Sequence, residues 1–337
     1  MGDIGSAKVA MEDWQENRLA THSPGWAGIA VLTVLLTLPS IWPGQLGWLQ
    51  GFIPAQLCYY LVTLDTARAN MGLTVSILLA GTIAAVVGSL PAFIFALTML
   101  PAGMVLGHAI RRNESPTVTG MKTVGLLLLL WTAFWVVYGA QTGTNPYQEI
   151  QASLEMSLTE TASFYQKETG LTLTAKEEIA ATIDFLRNFL RRILPALMAI
   201  TAITTVWVNM MIACWLLGRH QPPARTLWPP YSQWRFPPPL VWGVIAGGIA
   251  VLLPVQGAST VGINILLVGG ALYFFQGLAV LAKLFAKWSV PGPMRVFLYA
   301  ITLFQGAGFI ALAALGIADI WADFGTPRSD DNSTENN

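Results

Sequence analysis

Long apolar stretches alternate with short polar connections along almost the whole chain. Most of the stretches reach the roughly 20 residues that a helix needs to cross about 30 Å of hydrocarbon. Nine stretches fit this description: 25–42, 48–64, 71–90, 91–110, 121–140, 193–217, 240–255, 261–285 and 294–320. The pattern predicts an all-α, polytopic transmembrane helical bundle of about nine spans.

Two of the nine stretches are interrupted or short. The 48–64 stretch contains Gln50, Pro54 and Gln56, and the 240–255 stretch is brief, with Pro254 at its end. Proline removes a helical hydrogen bond, and hydrocarbon offers no water to replace it. Each stretch therefore predicts either a full crossing or a broken, re-entrant helix.

The polar segments divide the chain into five parts. The parts are an amino-terminal tail at 1–24, spans one to five at 25–140, a long polar segment at 141–192, spans six to nine at 193–322, and a disordered acidic tail at 323–337.

The polar segment 141–192 has apolar residues at helical spacing on both sides of Gly170. This spacing predicts an extramembrane helical hairpin packed stripe against stripe. Thr174 and Glu177 match a capping box at the start of its second helix. The hairpin is interpreted either as a cover over neighbouring loops or as an arm that docks a partner.

Lys and Arg concentrate in the connections on the side of the amino terminus. The opposite turns, around Pro43, Pro91 and Gly257, contain none. The positive-inside rule then places the amino terminus in the cytoplasm and the carboxyl terminus outside. We expect a multi-pass protein of a bacterial cytoplasmic (inner) membrane.

Composition supports a membrane protein and excludes several functions. Hydrophobic residues make up 54% of the chain, charged residues 11%, and the formal net charge is zero. The lipid bilayer is therefore the expected partner, and nucleic acid is not. The sequence has no phosphate-binding loop, no His-Glu-x-x-His, no Cys-x-x-Cys and no Gly-x-Ser-x-Gly motif. We expect no enzyme, cofactor, metal site or catalytic residue.

Neutral polar residues remain inside the predicted spans, and no ionisable residue is expected at mid-span. Such side chains either line a pocket for an uncharged or zwitterionic solute or join helices by hydrogen bonds. The predicted substrate-binding residues are Asn209, Asn264, Tyr273, Gln276 and Gln305.

Charged residues cluster at two places near the predicted outer surface. Arg191 and Arg192 lie at the base of the hairpin, and Asp319 and Asp323 lie at the end of the last span. The hypothesis is a set of structural ion pairs that dock the hairpin on the last helix. The alternative is that both groups are solvated, since exposed pairs contribute only about 0–1 kcal/mol.

Several short motifs in the carboxyl-terminal third resemble a known family. They are Phe236-Pro237-Pro238, Leu240-Val241-Trp242, Asn264, the run from Tyr273 to Val280, and the run from Asp319 to Phe324. Together they resemble the YybS-like family of predicted bacterial membrane proteins, over nearly the whole chain. The fold of that family is similar, at a distant level, to the substrate-binding subunits of energy-coupling-factor vitamin importers.

The resemblance implies a subunit that captures a small molecule from outside and works with a separate coupling protein and ATPases. This chain has more spans than the usual six, and its first helix lacks a clean Ala-x-x-x-Ala ladder. Two functions are therefore expected. One is a small-solute binding or transport subunit. The other is a membrane scaffold that recruits a partner, such as an envelope protein, through the hairpin or the basic, Pro-rich loop at 218–238.

Overall fold

The computed structural model describes residues 24–220, 228–304 and 306–322, and this part of the chain is helical without a β-strand. The all-α prediction is confirmed. Two short 3₁₀ helices, Gly47–Phe52 and Tyr231–Gln233, lie among the α-helices. The α-helices are α1 Pro24–Ile41, α2 Pro43–Leu46, α3 Ile53–Thr63, α4 Thr66–Val87, α5 Leu90–Leu97, α6 Leu100–Arg111, α7 Pro116–Thr142, α8 Pro146–Lys167, α9 Leu173–His220, α10 Leu240–Leu252, α11 Ala258–Lys287, α12 Gly292–Phe304 and α13 Gly306–Ala322.

Fewer helices reach membrane-crossing length than the nine predicted spans. In the described residues, five helical stretches are long and apolar enough to cross a membrane: Thr66–Val87, Leu90–Arg111 (α5 with α6), Pro116–Thr142, Leu173–Arg219 and Ala258–Lys287. The first apolar helix and α10 are shorter, and α3 has only 11 residues. The two stretches with internal or terminal proline are thus among those that do not form full-length helices.

The predicted ninth span is two helices in the structure. The Gly292–Thr302 part of α12 and α13 meet at an angle of 107°. Their combined length and composition suit either a broken span or a re-entrant loop. A sequence window averages over this bend, because it measures hydropathy and not direction.

The chain forms two compact units. Unit 1 comprises Met1–Phe134 and Thr205–Leu227, and unit 2 comprises Trp135–Thr204 and Trp228–Asn337. The long helices α7 and α9 each contribute residues to both units.

Unit 1 is held together by close helix packing and one inserted amide. Gly103 of α6 lies against Pro54 and Leu57 of α3, so that a Cβ there would come within 2.8 Å of the Pro54 carbonyl oxygen. The fully buried Asn209 accepts the Ala55 N–H at 2.6 Å and donates to the Gly51 carbonyl. It thereby satisfies backbone groups at the start of α3 that have no partner within the helix.

Helices α8 and α9 occupy the predicted hairpin segment. The turn between them leads into α9 at Leu173, and the hydroxyl of Thr172, not of Thr174, accepts the N–H of Ala175 at 3.2 Å. Arg187 lies 2.7 Å from Glu155. No residue of α8 is fully buried, but Ile150, Leu154 and Leu158 of its predicted apolar stripe are half-buried, and the hairpin packing stays a prediction. An extramembrane location for this segment stays a prediction.

Unit 2 is organised around α11. Helix α10 runs antiparallel to it, since Gly247 meets Gly262 while Val244 meets Gly269. Helix α13 also runs antiparallel to α11. There a Cβ on Gly316 would collide with the Tyr273 carbonyl, and one on Gly277 with the Leu312 carbonyl. Glycine is required at these crossings because the two backbones approach without room for a side chain.

Candidate functional site

Positions in unit 2 can be given as distances along helix α11. It has 30 residues, and at 1.5 Å per residue it is about 45 Å long. Gln276 therefore lies about 27 Å from its start and about 17 Å from its end. Groups that contact Gln276 are far from both ends of a helix long enough to cross a bilayer.

The segment Trp228–Pro239 approaches α11 at this central position. The Tyr231 hydroxyl donates a hydrogen bond to the Phe275 carbonyl, and the Phe236 N–H donates to Gln276 Oε1 at 3.2 Å. Trp234 is in edge contact with Trp228 and Tyr231, and its indole N–H donates to the Pro229 carbonyl at 2.8 Å. We call Trp228–Pro239 the Pro-rich segment.

The length of α10 explains why this segment reaches the middle of α11. With 13 residues, α10 is about 20 Å long, which is less than the thickness of a hydrocarbon core. Its antiparallel register places its first residue, Leu240, beside Leu272 and Tyr273 on a shared cavity wall. The non-helical backbone before Leu240 must therefore begin half-way along α11. In a membrane, such backbone is tolerated where protein covers it.

An ion pair lies at the same place. Arg235 Nε of the Pro-rich segment is 3.4 Å from Asp319 Oδ2 of α13, and the Asp319 side chain is only 2% exposed. Asp319 follows Gly316 by three residues, and Gly316 abuts Tyr273 and Gly277. The pair is thus one helical turn from the α11–α13 crossing.

The ion pairs expected from the sequence have different partners in the structure. Asp319 contacts Arg235, whereas Arg191 Nη2 lies 3.8 Å from Glu155. The carbonyl of Arg192 accepts a hydrogen bond from Asn264 Nδ2 at 2.8 Å. Asp323 lies outside the described residues. The sequence placed Asp319 at the end of the last span and Arg235 in a loop. The structure places Asp319 in the last turn of α13, buries its side chain and brings it beside Arg235.

Gln276 connects three elements at this junction. Its Oε1 accepts from Phe236, and its Nε2 donates to the Gly316 carbonyl at 3.1 Å. The side chain is 4% exposed. Gln276 therefore joins α11, α13 and the Pro-rich segment, and its amide is already engaged by protein groups.

Asn264 is also engaged by backbone. Its Oδ1 accepts the Ala196 N–H at 2.8 Å, and its Nδ2 donates to the carbonyls of Arg192 and Thr260 at 2.8 and 2.7 Å. The Arg192 carbonyl and the Ala196 N–H are the pair that an unbroken helix would join directly. The adjacent Pro195 lacks an N–H and disturbs this turn, and the amide completes the bonding.

A cavity of about 370 Å³ lies in unit 2 and is partly open. Apart from Asn264 and Tyr273, its walls are aliphatic side chains, proline, alanine and glycine. The lining residues are Pro195, Ala196, Leu240, Gly243, Val244, Asn264, Ile265, Val268, Gly269, Leu272 and Tyr273. This volume is within the range of small-molecule sites.

Tyr273 combines burial with an unsatisfied polar group. The residue is 1% exposed, and its hydroxyl has no hydrogen-bond partner within the described part of the chain. Leaving a buried hydroxyl unbonded costs about 1–3 kcal/mol. Such a group is a candidate donor to a ligand.

The structure brings together only part of the predicted substrate-binding set. Asn264 and Tyr273 line the cavity, and Gln276 lies nearby but is not a lining residue. Asn209 belongs to unit 1, where its amide also bonds to backbone. Gln305 lies outside the described residues.

The comparisons with known proteins decide the family. The sequence model of a family described as "Predicted membrane protein (DUF2232)" matches residues 30–320. The chain belongs to this family. No curated protein and no solved structure matches the chain.

As a member of the DUF2232 family, the chain is a predicted integral membrane protein of unknown function. Its long apolar helices agree with this description. The family match extends over α10, α11 and α13 and thus includes the junction and the cavity.

The sequence did not identify Arg235 and Tyr231 as residues of the place where the Pro-rich segment meets α11 and α13 in this DUF2232 protein. The available signal was the combination of a short apolar stretch at 240–255 with the prolines before it. That combination indicates a chain that enters the apolar layer before it becomes helical. Hydropathy does not reveal this, because polar and aromatic residues in a Pro-rich segment read as a surface loop.

Proposed function

We propose that this DUF2232 protein is a binding subunit for a small, largely apolar solute in membrane transport, and that it is not an enzyme. One observation carries the proposal. A partly open cavity of about 370 Å³ is walled by α10, a half-length helix that begins beside the middle of α11.

Interrupted helices are a recurring feature of membrane transport proteins. Their solute sites lie near the bilayer midplane, where discontinuous helices and unwound backbone meet. In this chain the unwound Pro-rich segment, the start of α10 and the Arg235–Asp319 pair all lie beside the central part of α11. Ionisable residues at such a depth are costly and are usually functional.

The lining determines the chemistry of the solute. Aliphatic and glycine surfaces favour an apolar body over a charged or strongly hydrated one. The amide of Asn264 is already bonded to three backbone groups, so it offers little to a polar solute. The hydroxyl of Tyr273 supplies one donor for a solute carbonyl or ether oxygen.

The energy source is proposed to come from other subunits. The chain has no phosphate-binding loop, so ATP-driven transport would need separate ATPase and coupling subunits, the arrangement of energy-coupling-factor importers. A bacterial inner membrane and a cytoplasmic amino terminus complete the proposal.

Filling the cavity tests the proposal directly. The wild-type protein and two variants would be purified from native membranes into lipid nanodiscs, and bound small molecules would be extracted and identified by mass spectrometry. Gly243→Phe projects a ring from a cavity-lining position, whereas Gly248→Phe places the same ring on α10 at a position with open space and no cavity contact.

We expect a stoichiometric apolar compound in the wild type and in Gly248→Phe, and at least about a tenfold reduction in Gly243→Phe. Identical small-molecule contents in all three proteins would contradict the proposal. If envelope proteins co-purified instead, with no compound in the wild type, a scaffold function would replace it.

A further inference from the structure

We infer that the Arg235–Asp319 pair is a latch that holds the Pro-rich segment on α11 and α13. The pair thereby controls the position of the start of α10, which forms one wall of the cavity. The inference rests on the proposed function in treating the cavity as the binding site. It concerns a moving part that the family description does not assign.

Three polar contacts among the described residues of the Pro-rich segment and the helices carry the inference. Two are bonds to α11, from the Tyr231 hydroxyl to the Phe275 carbonyl and from the Phe236 N–H to Gln276. The third is the ion pair to α13. All three fall within six residues of the segment, from Tyr231 to Phe236, so they hold one short stretch of the chain.

The ion pair is the contact best suited to act as a switch. Asp319 is almost fully enclosed, while the Arg235 side chain is 44% exposed. A buried carboxylate needs its counter-charge because its burial in a low dielectric is unfavourable. The guanidinium has an alternative partner in water or lipid headgroups, because it lies at the exposed edge. Breaking the pair therefore requires movement of the segment and not of α13.

The Pro-rich segment is mechanically connected to the cavity. Phe236 precedes the cavity-lining residue Leu240 by four positions, and Pro237, Pro238 and Pro239 lie between them. Proline fixes φ and makes a stiff connection. A displacement of Arg235 and Phe236 is thus transmitted to Leu240 and to the start of α10, which forms one wall.

The side of α10 that faces the cavity leaves room for such movement. Gly243 lines the cavity one turn after Leu240, and a Cβ there would meet nothing within 4 Å. The opposite side of α10 packs on α11, where Val244 lies against Gly269 and Gly247 faces Gly262 and Ile265. The proposed displacement therefore concerns Leu240 and the segment before it, which precede these contacts.

The position of the segment can be measured without a solute. Spin labels on Gln233→Cys and Lys287→Cys would report the distance from the Pro-rich segment to the end of α11, since both positions are exposed. The native thiols would be removed by Cys58→Ala and Cys214→Ala. Double electron–electron resonance would then be recorded in nanodiscs for the latched protein and for Asp319→Asn, Arg235→Gln and Glu155→Gln.

We expect one narrow distance distribution in the latched protein. Asp319→Asn and Arg235→Gln should each shift the mean and broaden the distribution at least about twofold, because the segment then samples released positions. Glu155→Gln removes the carboxylate that lies 2.7 Å from Arg187 in a more exposed pair, and it should leave the distribution unchanged.

A charge-reversed double variant, Arg235→Asp with Asp319→Arg, keeps the inference falsifiable if a single variant folds poorly. It should return the distribution toward that of the latched protein. A narrow, unshifted distribution in both single variants would overturn the latch, and so would a double variant that folds but stays as broad as the singles.

The two proposals fail in different ways. If the cavity holds no solute, the resonance experiment still shows whether the segment is latched. If the distribution does not respond to loss of either charge, the solute content of the Gly243→Phe protein still tests the binding function.

Discussion

Asn264 accepts the backbone N–H of Ala196 at 2.8 Å, directly after Pro195. The same arrangement occurs in unit 1, where Asn209 accepts the N–H of Ala55 at 2.6 Å, directly after Pro54. In each case the amide also donates to the carbonyl four residues before the alanine. The chain thus repairs two proline-disturbed helical turns by inserting an asparagine from another helical element.

The first prediction concerns these asparagines. Asn264→Leu removes the acceptor for Ala196 and the donor for Arg192 while it preserves side-chain volume. We expect a loss of about 1–3 kcal/mol in the free energy of unfolding, because two hydrogen bonds to backbone groups, each contributing about 0.5–1.5 kcal/mol, are removed. A thermal unfolding scan in nanodiscs measures this as a lower midpoint.

Asn188→Leu is the matched control for that change. Asn188 is exposed on α9 and donates to the Asp184 carbonyl within its own helix. Its midpoint should stay close to the wild type. Equal effects at Asn188 and Asn264 would show that the amide insertion contributes nothing specific.

The second prediction uses one chemical change with opposite consequences at two tyrosines. Tyr273→Phe removes a buried hydroxyl without a partner in the described chain, so unfolding should become harder by about 1 kcal/mol or more. Tyr231→Phe removes the donor to the Phe275 carbonyl, so unfolding should become easier by about 1 kcal/mol.

Chemical unfolding of both tyrosine variants in one detergent measures the two signs side by side. Destabilisation by Tyr273→Phe would mean that the hydroxyl has a partner in the membrane-embedded protein, and a bound solute is the first candidate.

The third prediction concerns the crossing of α11 and α13. A Cβ at Gly316 would collide with the carbonyl of Tyr273, so Gly316→Val should separate the two helices and destabilise unit 2. The effect should exceed about 3 kcal/mol, in the range of severe core disruption. Fluorescence-detected gel filtration after a heating series should show loss of the monodisperse peak at a clearly lower temperature.

Gly270→Val provides the control at the crossing. Gly270 lies on the same helix, α11, but an added Cβ meets nothing within 4 Å. Its gel-filtration profile should follow the wild type. Loss of the peak in both variants would indicate a general intolerance of α11 to β-branched residues.

The fourth prediction compares two ion pairs by burial. Asp319→Asn removes the enclosed counter-charge of Arg235. Breaking a fully buried pair costs about 3–5 kcal/mol, and we expect a smaller loss in the free energy of unfolding because the Arg235 side chain is 44% exposed. Glu155→Gln removes a 41% exposed carboxylate that pairs with Arg187 at 2.7 Å and with Arg191 at 3.8 Å, and about 0–1 kcal/mol per pair is expected.

Unfolding midpoints at low and high salt distinguish the two ion pairs. Salt should weaken the contribution of Glu155, because exposed charges are screened, and should change that of Asp319 less. The reverse order of salt sensitivity would contradict the burial assigned to the two carboxylates.

Some features of this chain could be predicted from its sequence, as individual residues show. Gly88 and Gly257, at predicted turns, both have positive φ in the structure. Pro54 and the shortness of 240–255 marked two of the places where helices are not full length. Asn209, Asn264 and Gln276 were expected either to line a pocket or to join helices. All three bond to backbone, and Asn264 also lines the cavity.

The sequence by itself determined that the protein is all-helical and built for a membrane, because hydropathy, helical spacing and turn residues are local properties. The tertiary structure alone decided that Asp319 pairs with Arg235, that α12 and α13 are bent apart, and that Tyr273 lines a cavity. These depend on where residues 84 positions apart, as Arg235 and Asp319 are, come together. Their positions depend both on the glycines where helices cross and on the prolines where helices end. These residues are far apart in sequence, so no short stretch of the chain contains all of them.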